Sequence, residues 1–241
     1  MTIDGGRVRA IFRKEIREIQ RNRSLLLAMS VLPLVFLIQP LVAVLGLSER
    51  AAGALRDEHV LLYLLGIPIL VPPVIAATAI AGERQQGTLE PVLTTPIRRE
   101  ELLLGKALAA LVPSIAIALV VDALFLIVVA VFAQPGIASS MVNAPDLIAQ
   151  LVFIPLLAAW SVWVGLAVST RTSDMRVAQQ LALLANVPLV FVVALVAFGV
   201  IEPTRQLAIT LAVALVILDT SGWRVAARLF DRERLIAGTR D

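Results

Sequence analysis

Side chains able to do chemistry are sparse in this 241-residue sequence, and many are gathered in one stretch, Glu83 to Lys106, ERQQGTLEPVLTTPIRREELLLGK. The chemistry on offer there is binding, not bond-making. There is no Cys, so no thiol nucleophile, disulfide or thiolate metal site exists, and the single His, His59, has no second ligand beside it in sequence. An intramembrane enzyme would need paired carboxylates or a His cluster near one face, and no such set can be assembled. A phosphate cradle is missing too, because Gly105-Lys106 lacks both the upstream Gly and the following Ser or Thr of G-x-x-x-x-G-K-[ST].

The local pattern of the stretch is that of a docking loop. Gly82 and Gly87 flank Glu83-Arg84-Gln85-Gln86 and allow the chain a tight or left-handed turn. Thr88 suits the N-cap of a short helix, and Pro91 falls in its first turn, where a missing N–H loses no internal bond. Leu89, Val92 and Leu93 then share one face at i, i+3 and i+4. A short helix with one apolar stripe is a common way to seat one protein in a groove of another. Thr95-Pro96 restarts the chain as a second helix, with Pro at its first position, running through Glu100, Glu101, Gly105 and Lys106.

The elements that must position this loop are membrane helices. Hydrophobic residues make up 59% of the sequence and charged ones 16%, too apolar for a soluble domain of this length. Six apolar runs are long enough to cross a hydrocarbon layer, which takes roughly 20 helical residues: Leu25 to Leu47, Val60 to Gly82, Ala107 to Ala133, Leu147 to Thr170, Val177 to Ile201, and Leu207 to Gly222. Backbone groups find no water in lipid, and the period-two alternation of a barrel is absent, so the fold class is an all-α integral membrane protein. Three divisions follow: an amphipathic arm (1–24), a six-helix membrane domain (25–222) carrying the 83–106 loop, and an amphipathic tail (223–241).

Charge sets the orientation. Seven Lys or Arg lie in the N-terminal arm, four in the loop after the second run, two after the fourth and five in the tail, against three on the opposite side. Positive charge marks the cytoplasmic face, so both termini and the loop are expected inside a plasma membrane. The arm places Val8, Ile11, Phe12, Ile16 and Ile19 at three- and four-residue steps among Arg9, Arg13, Lys14, Arg17 and Arg21, the pattern of a helix lying on the inner membrane surface. Leu25 to Leu47 is too long for the core of a cleaved signal peptide and is expected as a retained anchor. Its basic clusters suit anionic lipid. Nothing supplies the base-contacting face of a nucleic-acid binder.

The order Glu83, Gly87-Thr88-Leu89-Glu90, Pro96 and Gly105-Lys106, placed between the second and third of six runs, resembles the segment by which permease subunits of the type-two ABC exporter family dock onto their ATPase partners. The resemblance implies that Glu83 and Glu90 make polar contacts to an ATPase and that Leu89, Val92 and Leu93 anchor it, with Gly87 and Thr88 shaping the approach. Pro91 departs from the pattern and would shorten the docking helix. It further implies two permease subunits, as a homo- or heterodimer, above two ATPase subunits that bind the ATP and Mg. This chain would then carry no cofactor or metal and would not itself be an enzyme.

Polar residues inside the apolar runs are candidates for a transport pathway, chiefly Asp122 and Asn186. An ionised Asp at mid-membrane costs about 2.5–3.5 kcal/mol on insertion scales, so it is expected to face a partner, a cavity or water. Apolar spans favour a hydrophobic or amphipathic drug-like or lipid-like substrate. The alternative is an ion-coupled secondary transporter using Asp122, although such a protein would show more coordinating groups and often an internal repeat. The absence of Cys makes the topology directly testable: Gly53→Cys and Ala138→Cys should react with an impermeant thiol reagent from outside sealed cells, and Gln86→Cys should not. Labelling of Gln86→Cys from outside would reverse the orientation.

Overall fold

The computed structural model describes residues 3–46, 59–88, 97–134 and 143–229. Its elements are α1 (Gly5–Arg21), α2 (Arg23–Leu45), α3 (Val60–Gln85), α4 (Arg99–Phe132), α5 (Ala144–Ser169), α6 (Met175–Ala197) and α7 (Arg205–Leu229). The described residues contain no strand, and α2 to α7 are the six helices long and apolar enough to cross a membrane.

Local chemistry fixes the ends. Asp4 caps α1, its carboxylate accepting from Gly6 N–H at 2.8 Å. Asn22 is extended, closes α1 through its own N–H, and opens α2 by accepting from Leu25 N–H at 3.1 Å. One residue therefore separates the arm from the first membrane helix. At 34 residues α4 is about 51 Å long by its rise per residue. That exceeds a hydrocarbon core of about 30 Å, so its first two turns extend beyond the apolar run expected from Ala107.

Two sequence expectations shift. The second span does not end at Gly82, because α3 continues to Gln85, and the left-handed turn falls at Gly87 with φ +68°. Gly87 N–H donates to Arg84 C=O at 3.1 Å and Thr88 N–H to Glu83 C=O at 2.9 Å, the paired bonds of a Schellman stop. Thr88 thus closes the helix before the loop. The fifth span stops at Ala197 and not at Ile201, where Gly199 at φ +69° and the bond from Val200 N–H to Leu195 C=O unwind its end. The sixth span and the start of the expected tail form one helix, since α7 passes through Trp223 to Leu229.

The bundle is built around α3, which is enclosed along most of its length by α5, α6, α4 and α2. Lipid-like surroundings give helices little hydrophobic reason to associate, so close approach and internal hydrogen bonds matter. A Cβ at Gly165 would stand 2.8 Å from Ala76 Cβ and 3.1 Å from Pro73 Cα, so the backbones of α5 and α3 meet at a residue with no side chain. One turn on, Ser169 Oγ accepts from Ala81 N–H (2.9 Å) and Ile80 N–H (3.1 Å) while donating to Ala77 C=O (2.6 Å). α7 is the outermost helix and packs on α5, where Trp163 and Trp223 meet edge to face at 5.5 Å.

Candidate functional site at the loop-bearing end

The 83–106 loop leaves α3 at Gly87 and returns at α4, and the amphipathic arm sits against the junction of the two. The apolar stripe of α1, Val8, Ile11 and Ile19, is buried, chiefly against α4. Gly105 makes this possible, because a Cβ there would lie 2.7 Å from Ile11 Cβ and 3.3 Å from Val8 C=O. The arm's apolar face is thus turned to its own chain, a use of the amphipathic pattern that periodicity could not separate from insertion into lipid.

Two polar clasps hold the arm. At its start Glu101 accepts from Asp4 N–H (3.0 Å) and from Arg98 N–H (3.1 Å), with the Arg7 guanidinium 3.5 Å away. The same carboxylate therefore caps α4 and captures the first turn of α1. Farther along lies a denser group. Lys106, whose side chain is fully enclosed, donates to Glu15 (2.8 Å) and to Ala79 C=O (2.7 Å), and its ammonium lies 3.0 Å from Glu83 as an ion pair. Lys14 completes the group, 2.6 Å from Glu83, 3.2 Å from Glu18 and 3.4 Å from Glu15.

Glu15, Glu18 and Glu83 approach one another closely enough to hold a cation, and the Lys14 ammonium lies within ion-pair distance of all three. Burial works against a charged Lys14, but Glu15, Glu83 and Glu18 outweigh it and hold its pKa above the ordinary value of 10.5. A raised folded-state value contributes stability in full below pH 10.5, lost only as the pH climbs beyond it, so the contribution of Lys14 does not change with pH in the neutral range.

The sequence-derived site residues divide accordingly. Glu83 is 6% exposed and turned inward onto the two lysines, with its Oε2 buried and without a partner among the described residues. Gly87 and Thr88 form the turn just described. Leu89, Glu90, Val92 and Leu93 lie outside the described residues. Sequence reasoning missed Glu15 and Lys106 as an ion pair. The available signal was a carboxylate four residues from both Ile11 and Ile19, on the one stripe of the arm that is otherwise apolar.

The bundle so described, six membrane helices with a polar loop after the second and a buried arm before the first, is matched by a family model. That model, ABC-2 family transporter protein, covers residues 9–221. The chain belongs to the ABC-2 transporter family. No curated protein matches it by sequence. It is accordingly a multi-pass membrane permease of the type-two ABC class.

Within this permease the two pathway candidates sit differently. Asn186 is fully buried on α6, its carbonyl accepting from Ser161 Oγ of α5 at 3.1 Å while its NH₂ donates back to Ala182 C=O of its own helix at 2.8 Å, so the carbonyl half of its amide serves the α5–α6 contact. Asp122 on α4 is 8% exposed, and neither carboxylate oxygen has a partner among the described residues. At the far end of the bundle His59 Nδ1 lies 3.0 Å from Asp146, and Gln150 Nε2 donates to Leu61 C=O, tying the start of α3 to that of α5.

Two outcomes follow. Lys106→Met leaves Glu15 and Glu83 buried without their enclosed counter-charge and should destabilise the purified permease by about 3–5 kcal/mol. Adding Glu15→Gln should recover part of that loss in a double-mutant cycle, and strict additivity would show that the two residues do not interact. Asp122→Asn and Asp122→Leu, each scored for transport per molecule in membranes, separate a hydrogen-bonding role, in which Asn suffices, from a requirement for the carboxylate, in which both lose transport. Normal transport by both would make Asp122 a packing residue.

Proposed function

We propose that this permease is the membrane subunit of an ATP-driven exporter, with the loop-bearing end in the cytoplasm of a plasma-membrane protein, and that the 83–106 loop is where an ABC ATPase docks. The observation that carries this reading is the buried group of Glu15, Glu83 and Lys106, with the half-exposed Lys14 at its edge. It joins the last turns of α3, the first turns of α4 and the arm, which are the two roots of the loop and the helix wedged against both. A force applied to the loop therefore reaches three helices at once, because buried charges cannot separate without exposing an unpaired partner.

In this reading Leu89, Val92 and Leu93 form the apolar anchor and Glu90 a polar contact, while Glu83, Gly87 and Thr88 hold the loop in place from within. Two such permease subunits face each other, each above an ATPase subunit that binds the nucleotide and its magnesium. The pathway carries a hydrophobic or amphipathic molecule outward, with Asp122 as the polar group facing it and Asn186 fixing the helix pair of its wall.

Replacing Leu89 or Leu93 with Asp places a charge on the docking stripe, where burial without a partner costs several kcal/mol. Recovery of the ATPase subunit on affinity-purified permease should fall at least about tenfold, which corresponds to only 1.4 kcal/mol, and transport should fall with it while membrane insertion is unchanged. Undiminished ATPase recovery and transport in both variants would remove the loop from this role.

A further inference from the structure

At the loop-bearing end α2 and α6 both pack on α3 without packing along one another, which leaves a slot between them that is open to the side. The cleft is about 200 Å³ and is lined by Asn22, Ser24, Thr78, Arg176 and Gln179, with Leu25 and Ala28 on the α2 wall. Drug-sized ligands occupy pockets of roughly 300–1,000 Å³. The space fits a headgroup, not a whole drug-like molecule.

Its polar groups are graded with depth. Arg176 is exposed in the first turn of α6; the Asp174 cap accepts from its backbone N–H at 2.7 Å, and its guanidinium pairs with no acidic side chain among the described residues. The Asn22 carbonyl accepts from Leu25 N–H and Ser24 Oγ, which leaves its NH₂ group free to donate beside Asn22's position at the α1–α2 junction. Deeper in, Gln179 donates one amide hydrogen to Val74 C=O at 3.3 Å and keeps a second, and the Thr78 hydroxyl donates to Ile75 C=O at 2.7 Å. Gln179 lies about 6 Å along α6 from its first residue and Thr78 about 10 Å from the end of α3, by the helical rise. Donors for an anion therefore stand at the mouth, a free Gln179 amide hydrogen suited to an ester oxygen lies about one turn farther in, and exposed apolar side chains of α2 and α6, such as Val31 and Leu184, lie beyond.

We propose that this slot binds an anionic glycerophospholipid or an amphiphile of the same build. Its phosphate lies at Arg176 and Asn22, an ester oxygen accepts the second amide hydrogen of Gln179, and its chains leave sideways between α2 and α6. Arginine suits phosphate because its planar fork can donate two parallel hydrogen bonds. The assignment to the inner leaflet rests on the cytoplasmic orientation proposed above. Binding itself does not, and neither does it need an ATPase.

The permease purified in detergent is titrated with phosphatidylglycerol and with phosphatidylcholine, each carrying a fluorophore on the chain end, and binding is read by anisotropy. The wild type should bind phosphatidylglycerol at least about tenfold more tightly than phosphatidylcholine. Arg176→Gln should remove that preference, Arg176→Lys should restore part of it, and Ala28→Phe, which fills the slot from the opposite wall, should weaken both lipids. Arg171→Gln, an exposed arginine of the same end but outside the slot, should bind as the wild type does. Equal affinity for the two lipids in the wild type, an equal loss from Arg171→Gln, or unchanged binding in Ala28→Phe would overturn the site. Displacement of the lipid by millimolar inorganic phosphate would assign the mouth to a free anion and overturn the amphiphile. Because no ATPase is present, failure here leaves the docking role of the loop untouched, and failure of that role leaves this result standing.

Discussion

An ammonium group with no access to water must be surrounded by acceptors, and the enclosure of Lys106 imposes that demand on the arm and on the last turns of α3. Glu15 comes from the arm, Glu83 from the last turn before the loop, and the carbonyl of Ala79 from one turn farther up α3. None of these could move far alone, since each departure would leave a donor or a charge unsatisfied in a place that water does not reach. Gly105 belongs to the same constraint. Only a residue without a side chain lets α1 come close enough to α4 for Glu15 to meet Lys106.

The rest of the bundle obeys a complementary rule. Along most of the contact between α3 and α5, away from the His59–Asp146 pair at one end, attachment comes from close backbone approach and from hydroxyl and amide groups that satisfy main-chain atoms. Gly165 against Pro73 and Ala76, Ser169 on α3, and Gln150 on Leu61 C=O illustrate this along the length of one helix pair. Prolines 72 and 73 are tolerated within α3 because neighbouring helices surround it on most sides. The loop-bearing end is further tied down by Arg84, which donates to Thr172 C=O at 3.1 Å and to Thr170 C=O beyond the end of α5. The root of the loop is thus fixed on both sides, to the arm through Glu83 and to the α5–α6 turn through Arg84.

This arrangement gives the family membership a physical content. A permease of this class must pass a movement from a soluble partner to helices buried in lipid. The described residues join the arm, the end of α3 and the start of α4 through one ionic group, the joint on which the proposed docking role rests. Asn186 and Ser161 serve the helix packing, whereas Asp122 has no internal partner for either oxygen among the described residues.

Much of this was legible in the sequence, because lipid restricts a chain to few solutions. Six long apolar runs could only be helices, and α2 to α7 fall on them. The ends of the helices were less legible. Gly82 and Gly87 look alike in sequence, and only the bonds from Gly87 and Thr88 back to Arg84 and Glu83 decide which one stops the helix. Least legible was the partner of the arm. An amphipathic stripe states that a face will be buried but not against what, and Glu83 looked like a solvent-facing contact until Lys14 and Lys106 were brought to it from positions 69 residues earlier and 23 residues later. Local spacing is set by the pitch of a helix, whereas the neutralisation of a buried charge depends on side chains far apart in the chain, and only the tertiary structure brings those together.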